Sequence, residues 1–238
     1  MDNKEDLSRS KIESVFQSNI DIKIEDYKFL DLSFKMLTNI ESLTQYNLEN
    51  LTHLYLNDNN IKRIEGLENL KNLEYLDLSS NHIEKIEGLE RLTNLEELHF
   101  EGNKIKRIEG LDNLINLRTL SFGDPYHYTI GNDIEVIENL DTLTKLDSLE
   151  LGLNKITEIF GLEKLIYLVY LGLSCNQILE IKGLNHNPML THIDPLHIPE
   201  EMKLQVKQQY SYWGNDQFVL RRDLDSYKGL TFNPEKSW

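Results

Sequence analysis

The chain has 238 residues, 39% of them hydrophobic, with 40 acidic against 25 basic side chains and a formal net charge of −15. That balance argues against direct binding to a nucleic-acid backbone or an anionic membrane surface, and favours solubility and basic partners. Cys175 is the single cysteine, so no internal disulfide can form, and no run approaches the roughly 18 apolar residues of a membrane span.

The N-terminus, MDNKEDLSRS, is charged and lacks the apolar core of a signal peptide. With the lone cysteine, this predicts a cytoplasmic protein. Leu7, Ile12, Val15 and Phe16 within residues 1–20 suit a short amphipathic helix. Residues 1–26 therefore read as an N-terminal helical cap over the open end of whatever follows. From Asp21 to Asn47 lies a degenerate first unit, with Tyr27, Leu30, Leu32, Leu37, Ile40 and Leu43 two positions out of phase with what comes next.

The sequence then repeats itself. LTHLYLNDNNIKRIEGLENLKN is followed by LEYLDLSSNHIEKIEGLERLTN and LEELHFEGNKIKRIEGLDNLIN, a period of 22 residues marked by Leu51, Leu73, Leu95 and Leu117. Self-similarity at such a period is the signature of a stacked array, in which each unit buries its apolar face only against its neighbours. The fourth unit runs from Leu117 to the next start at Leu146, 29 positions, so it carries 29 − 22 = 7 extra residues. They fall within 123–131, where Tyr126, His127 and Tyr128 crowd the middle of an insertion bounded by Gly123 and Gly131. Clean units follow from Leu146 and Leu168, and a fragment from Leu190 to Pro195 keeps only the strand. The array thus spans 27–195 in about seven units. Residues 196–238 form a C-terminal cap and aromatic tail: Met202, Val206 and Tyr210 suit a capping helix, and Tyr210 to Trp238 holds seven of the 21 aromatic residues. So aromatic a tail is expected to pack back on the array or to dock on a partner.

The pattern Leu51-Leu54-Leu56-Asn59-Ile61-Ile64-Gly66-Leu67-Leu70 resembles the leucine-rich repeat in its 22-residue form. It is similar to the regulatory subunits of type-1 serine/threonine phosphatases and to bacterial internalins. The resemblance implies an α/β solenoid, a curved horseshoe with a parallel β-sheet on the concave face, short helical or 3-10 segments on the convex side, and caps at both ends. The residues agree. Leu54 and Leu56 alternate with His53, Tyr55 and Asn57, the period of a strand with one buried face. Asn59, Asn81, Asn103, Asn154 and Asn176 follow the strands, where an amide can satisfy backbone groups freed at a turn. Gly66, Gly88, Gly110, Gly161 and Gly183 stand where positive φ is expected, with Asn139 in the interrupted unit.

Strand alternation also lists the side chains of the concave face. Asp31, His53, Tyr55, Tyr75, Asp77, Glu97, His99, Glu101, Glu150, Tyr170, His192 and Asp194 all project there, and the strand columns contain no Lys or Arg. Acidic groups with tyrosines point to a face that binds a protein presenting Lys or Arg, since aromatic anchors carry interface energy and charge sets rate and register. Tyr126, His127 and Tyr128 either add contacts beside that face or sit on a tolerated surface insertion.

Asp77, Glu97, His99 and Glu101 invite a metal or acid–base reading. An open, solvated sheet face lacks the enclosure and tuned pKa values of a catalytic centre, and no nucleotide-binding or zinc motif occurs. Neither a catalytic residue, a metal nor a cofactor is expected. Cys175, between Ser174 and Asn176, has no activating base beside it in the sequence and reads as a structural thiol. The expected protein is a scaffold or regulatory subunit, monomeric by itself, whose partner is another protein. By resemblance that partner is a phosphatase catalytic subunit. An internalin-like surface adhesin or secreted effector is the alternative, and an enzyme the least favoured reading.

Overall fold

The computed structural model describes residues 3–18, 23–123, 131–178, 183–194, 210–213 and 217–220. Three-residue strands recur once per unit: β1 (Phe29–Asp31), β2 (His53–Tyr55), β3 (Tyr75–Asp77), β4 (Glu97–His99), β5 (Thr119–Ser121), β6 (Ser148–Glu150), β7 (Tyr170–Gly172) and β8 (His192–Asp194). They pair in chain order as a parallel sheet. The central residue of each strand from β1 to β7 is buried, and Ile193 of β8 with them. Leucine and isoleucine rows from successive coils thereby merge into one continuous core. Each coil is too small to bury its own apolar face, so stacking supplies the stability.

The pairing register follows the repeat spacing. His53 pairs with Tyr75 and Tyr75 with Glu97, whereas Phe29 pairs with His53, two positions further apart in sequence than those pairs. Ser121 pairs with Glu150 across the long fourth unit, so the additional residues loop out without shifting the ladder. Both ends of the insertion are glycine because a Cβ at Gly123 would meet the Gly152 backbone and one at Gly131 the Leu153 carbonyl. Tyr126, His127 and Tyr128 lie outside the described residues.

Asparagines bind the coils together from within. Asn81 accepts the Ile61 N–H at 3.0 Å and donates to the carbonyls of Leu56 (2.9 Å) and Leu78 (3.1 Å). Asn103, Asn132, Asn154 and Asn176 accept the equivalent amide of the preceding coil. Buried backbone groups are costly unless paired, and this side chain pairs them where the turn leaves no ladder. On the return side, Gly88 has φ +75° and lies against the Ile64 carbonyl. Asn139 holds the same left-handed geometry at φ 59° and uses its amide to reach the Ile108 carbonyl at 2.7 Å.

The convex side carries short segments with 3-10-type bonding, in keeping with the expected short helical or 3-10 segments. Among the described residues the helical elements are α1 (Asn3–Ser18), η1 (Ile24–Asp26) and η2 (Glu41–Gln45). Later coils turn instead through pairs of i→i+3 bonds, such as Leu70 N–H to Leu67 O and Leu73 N–H to Leu70 O, both 3.0 Å. Too few residues separate the glycine from the next strand for a longer helix.

At the N-terminal end α1 covers the first coil. Ile12 and Phe16 enter the core, and the Phe16 ring packs on Tyr27 and Tyr46 with centroids 5.6 and 4.5 Å apart. Leu7, expected on this face, is exposed, and Ser8 is buried in its place. Ser8 accepts the Thr38 N–H at 3.1 Å. The reason is angular. Residues 8, 12 and 16 are i, i+4, i+8, whereas residue 7 lies about 140° from residue 12 around a helix of 3.6 residues per turn.

The C-terminal end is closed differently from the sequence expectation at one point. Tyr210, expected to end a capping helix, begins strand β9 (Tyr210–Trp213). β9 pairs antiparallel with β10 (Gln217–Leu220), which pairs antiparallel with β8. A parallel sheet ends in an open row of backbone donors and acceptors, and the hairpin takes up that row. The rest of the expected helix, 196–209, lies outside the described residues.

Candidate functional site

The sheet register aligns the concave side chains into columns. Phe29, His53, Tyr75, Glu97, Thr119, Ser148, Tyr170 and His192 form one; Asp31, Tyr55, Asp77, His99, Ser121, Glu150, Gly172 and Asp194 form the next. Among the described residues of these columns there is no lysine or arginine.

Rings dominate the N-terminal half. Phe29 lies 4.4 Å from His53, His53 stacks 5.6 Å from Tyr75 at 16°, Tyr55 sits 5.0 Å from Tyr75, and Tyr75 lies 5.2 Å from His99. Strand spacing of about 4.8 Å sets this ladder, because rings on adjacent strands must touch. Phe29 at its outer end is 59% exposed. It is part of this aromatic surface although it was not among the candidate site residues.

The ladder ends in a charged group. His99 Nδ1 lies 3.2 Å from Glu101 Oε1 and Nε2 3.8 Å from Glu97 Oε2. Burial alone would lower the His99 pKa, but the hydrogen bond to Glu101 and the charges of Glu101, Asp77 and Glu97 together raise it. Burial, then Asp77, Tyr55, Glu97 and Glu101, push the Tyr75 phenol far above its ordinary range. Asp77 is also raised, by burial first, although hydrogen bonds from Ser79 and the His99 charge act the other way. Glu101 Oε2 and His99 Nε2 are buried atoms without a hydrogen-bond partner.

Small side chains then open a hollow of about 510 Å³ in the middle of the sheet. Thr119, Ser121 and Ser148 form its floor, His99 and Glu101 one wall, and Glu150 and Tyr170 the other. The Tyr170 hydroxyl donates to Glu150 Oε2 and the Gly152 N–H to Oε1, both at 2.8 Å. The small floor residues were visible in the sequence as column members but carried no signal until the rings on either side were placed.

Several candidate carboxylates are committed to their own chain. Asp31 accepts the Ser33 N–H at 2.9 Å, and Asp77 accepts the Ser79 N–H at 2.9 Å with the Ser79 hydroxyl at 2.6 Å. Glu150 does the same at Gly152. These acids close the turn after the strand, as short acidic side chains commonly do two residues ahead of an amide. The repeated tripeptides Asp31-Leu32-Ser33 and Asp77-Leu78-Ser79 were the available signal. Glu97 is the exposed carboxylate of the cluster. His192 lies at the far end of the sheet, 2.8 Å from Thr191 Oγ1; Asp194 is placed beside it by register alone. No group of three or more His, Cys, Asp or Glu among the described residues is arranged to hold a metal ion.

Residues 49–91 match the family model described as Leucine Rich repeats (2 copies). Among solved structures the chain is similar to internalin C2 of Listeria monocytogenes, at 26% identity and a TM-score of 0.64, over 78% of this chain and 80% of that one. It is similar to a second internalin of Listeria monocytogenes, inlF, at 27% identity and a TM-score of 0.55, over 72% of this chain and 54% of that one. A leucine-rich repeat protein of Leptospira interrogans matches at 28% identity and a TM-score of 0.61, over 71% of this chain and 43% of that one. Against the last two, this chain spans only about half of the partner's length or less. No curated protein matches significantly. Residues 49–91 thus carry leucine-rich repeats, and the array as a whole is similar to the internalin and leucine-rich repeat structures.

Proposed function

We propose that the chain is a protein-interaction module that holds a basic partner across its concave sheet. Leucine-rich repeat domains typically bind other proteins and are generally non-enzymatic. The observation that carries the finer reading is the composition of the concave columns. Stacked rings and carboxylates line them, with no basic residue among those described. Aromatic faces and carboxylates are complementary to lysine and guanidinium groups. Glu101 Oε2, an acceptor with no donor, supports a donor arriving from outside. The role as scaffold or regulatory subunit, and a cytoplasmic location, belong to this reading. The type-1 phosphatase catalytic subunit implied by the repeat pattern is one partner to try directly.

The test is a native pull-down with mass spectrometry, comparing the parent chain with Glu97→Lys and Glu97→Lys/Glu101→Gln. Asp77 is left intact because it holds the Ser79 amide. A basic protein recovered at low salt should be lost from the variants, with affinity down about tenfold or more. Equal recovery from all three would discard the concave face. A second reading, an internalin-like surface or secreted binder, is favoured by the array's similarity to two internalins. Fractionation of the native protein separates the two, since recovery only in the cytosol removes the second.

A further inference from the structure

The hollow of about 510 Å³ in the middle of the sheet has the shape of a seat for one side chain. Asp77, Glu101 and Glu150 border it with His99, and among the described residues lining it there is no Lys or Arg. Thr119, Ser121 and Ser148 floor it, between His99 on one side and Tyr170 on the other. Two strand gaps of about 4.8 Å separate β4 from β6, so Glu101 and Glu150 rise from backbones about 10 Å apart. A compact charge between them would meet one carboxylate and leave the other. A flat cation with donors on both sides meets both.

Hydrogen bonding also makes the hollow rich in acceptors. Ser79 donates its hydroxyl hydrogen to Asp77 at 2.6 Å, Ser121 to Gly123 O at 2.9 Å and Tyr170 to Glu150 at 2.8 Å. Three lining hydroxyls are thereby spent on the chain's own acceptors. Glu101 gives Oε1 to His99 at 3.2 Å and leaves Oε2 a buried acceptor without a donor, on a side chain 20% exposed beside the hollow. A guanidinium carries five donors in one plane and no acceptor, and it pairs with carboxylates through parallel bonds. An ammonium is a compact, strongly hydrated point charge. We infer that the hollow seats one arginine side chain of the protein partner, between Glu101 and Glu150 and in preference to lysine; the assignment rests on the concave sheet being the face that holds the partner.

The experiment titrates the full chain with acetyl-Gly-Arg-Gly-amide, with its lysine counterpart and with its neutral citrulline counterpart. NMR signals of the His99 imidazole and the Thr119 methyl group report binding. The arginine peptide should saturate at about millimolar concentration, about fivefold or more tighter than the lysine peptide, and the citrulline peptide should not saturate. Ser148→Phe fills the floor beside Tyr170 without removing a carboxylate and should weaken arginine binding about tenfold or more. Glu101→Gln should do the same by removing one charge, which keeps the test intact should the first variant fold poorly. Absence of saturable arginine binding, equal affinity for either other peptide, or arginine binding unchanged in both variants would overturn the inference. Glu97 is not part of the hollow's lining, so the pull-down with Glu97→Lys judges the concave face separately. A partner lost from Glu97→Lys and kept by Ser148→Phe discards the arginine seat alone. A partner recovered equally from both variants and the parent discards the face, and the seat with it.

Discussion

Glu150 lies across Gly172, its carboxylate filling the space where a Cβ at residue 172 would stand. Tyr170 and the Gly152 amide hold it there, and Glu150 is 5% exposed. One wall of the hollow therefore depends on an absent methyl group on the neighbouring strand. Gly172→Ala should displace Glu150, break the Tyr170 bond and cost on the order of 1–2 kcal/mol in urea unfolding. Because the conflict is pairwise, the double variant Glu150→Ala/Gly172→Ala should lose less than the sum of the single losses. Simple additivity in that cycle would show that the two residues do not meet.

The asparagines divide into an inner and an outer set with very different expected weight. Asn81 is 3% exposed and serves one amide and three carbonyls of two coils. Asn81→Ala strands those groups away from water, and a loss of about 3 kcal/mol is expected. Asn72→Ala removes one exposed bond to Glu49 and should cost about 0.5 kcal/mol. Chemical denaturation of both variants decides this, and comparable losses would contradict the account of the coil interior.

His99 couples the sheet to pH. Its folded-state pKa is raised above 6.5 by Glu101, Asp77 and Glu97 in spite of burial. A raised pKa means that the folded state holds the proton more tightly. The stabilisation is therefore fully present below pH 6.5 and is lost as pH rises through the higher folded value. Urea midpoints measured from pH 5.5 to 9 should fall over that window in the parent chain. The fall should be smaller in His99→Gln. An NMR titration of His99 at or below the ordinary imidazole value would refute the coupling.

Much of this protein was legible as sequence, because a repeat makes every unit a copy of one local problem. The alternation His53-Leu54-Tyr55 and the spacing of 22 set strand register, and all eight parallel strands pair as the columns required. The positive φ at Gly88 and Asn139 followed from the same pattern. Asn132 restores the inner ladder after the insertion, so the register survives seven added residues.

The tertiary structure decided what the repeat leaves open, namely which groups from different coils meet. Column membership does not distinguish a carboxylate that faces solvent, such as Glu97, from Asp77, turned onto the Ser79 amide, or Glu150, laid over Gly172. Leu7 was misplaced for a similar reason. The face of α1 is selected by what the first coil offers, and Thr38 offers a hydrogen-bond donor that Ser8 can meet. Tyr210 passed from an expected helix to β9 because the end of a parallel sheet leaves unpaired backbone groups, and that demand outweighs an i, i+4 apolar spacing. Local periodicity determines the coil. Contacts between coils, which depend on side-chain size and direction across about 4.8 Å gaps, determine the surface that the sheet presents.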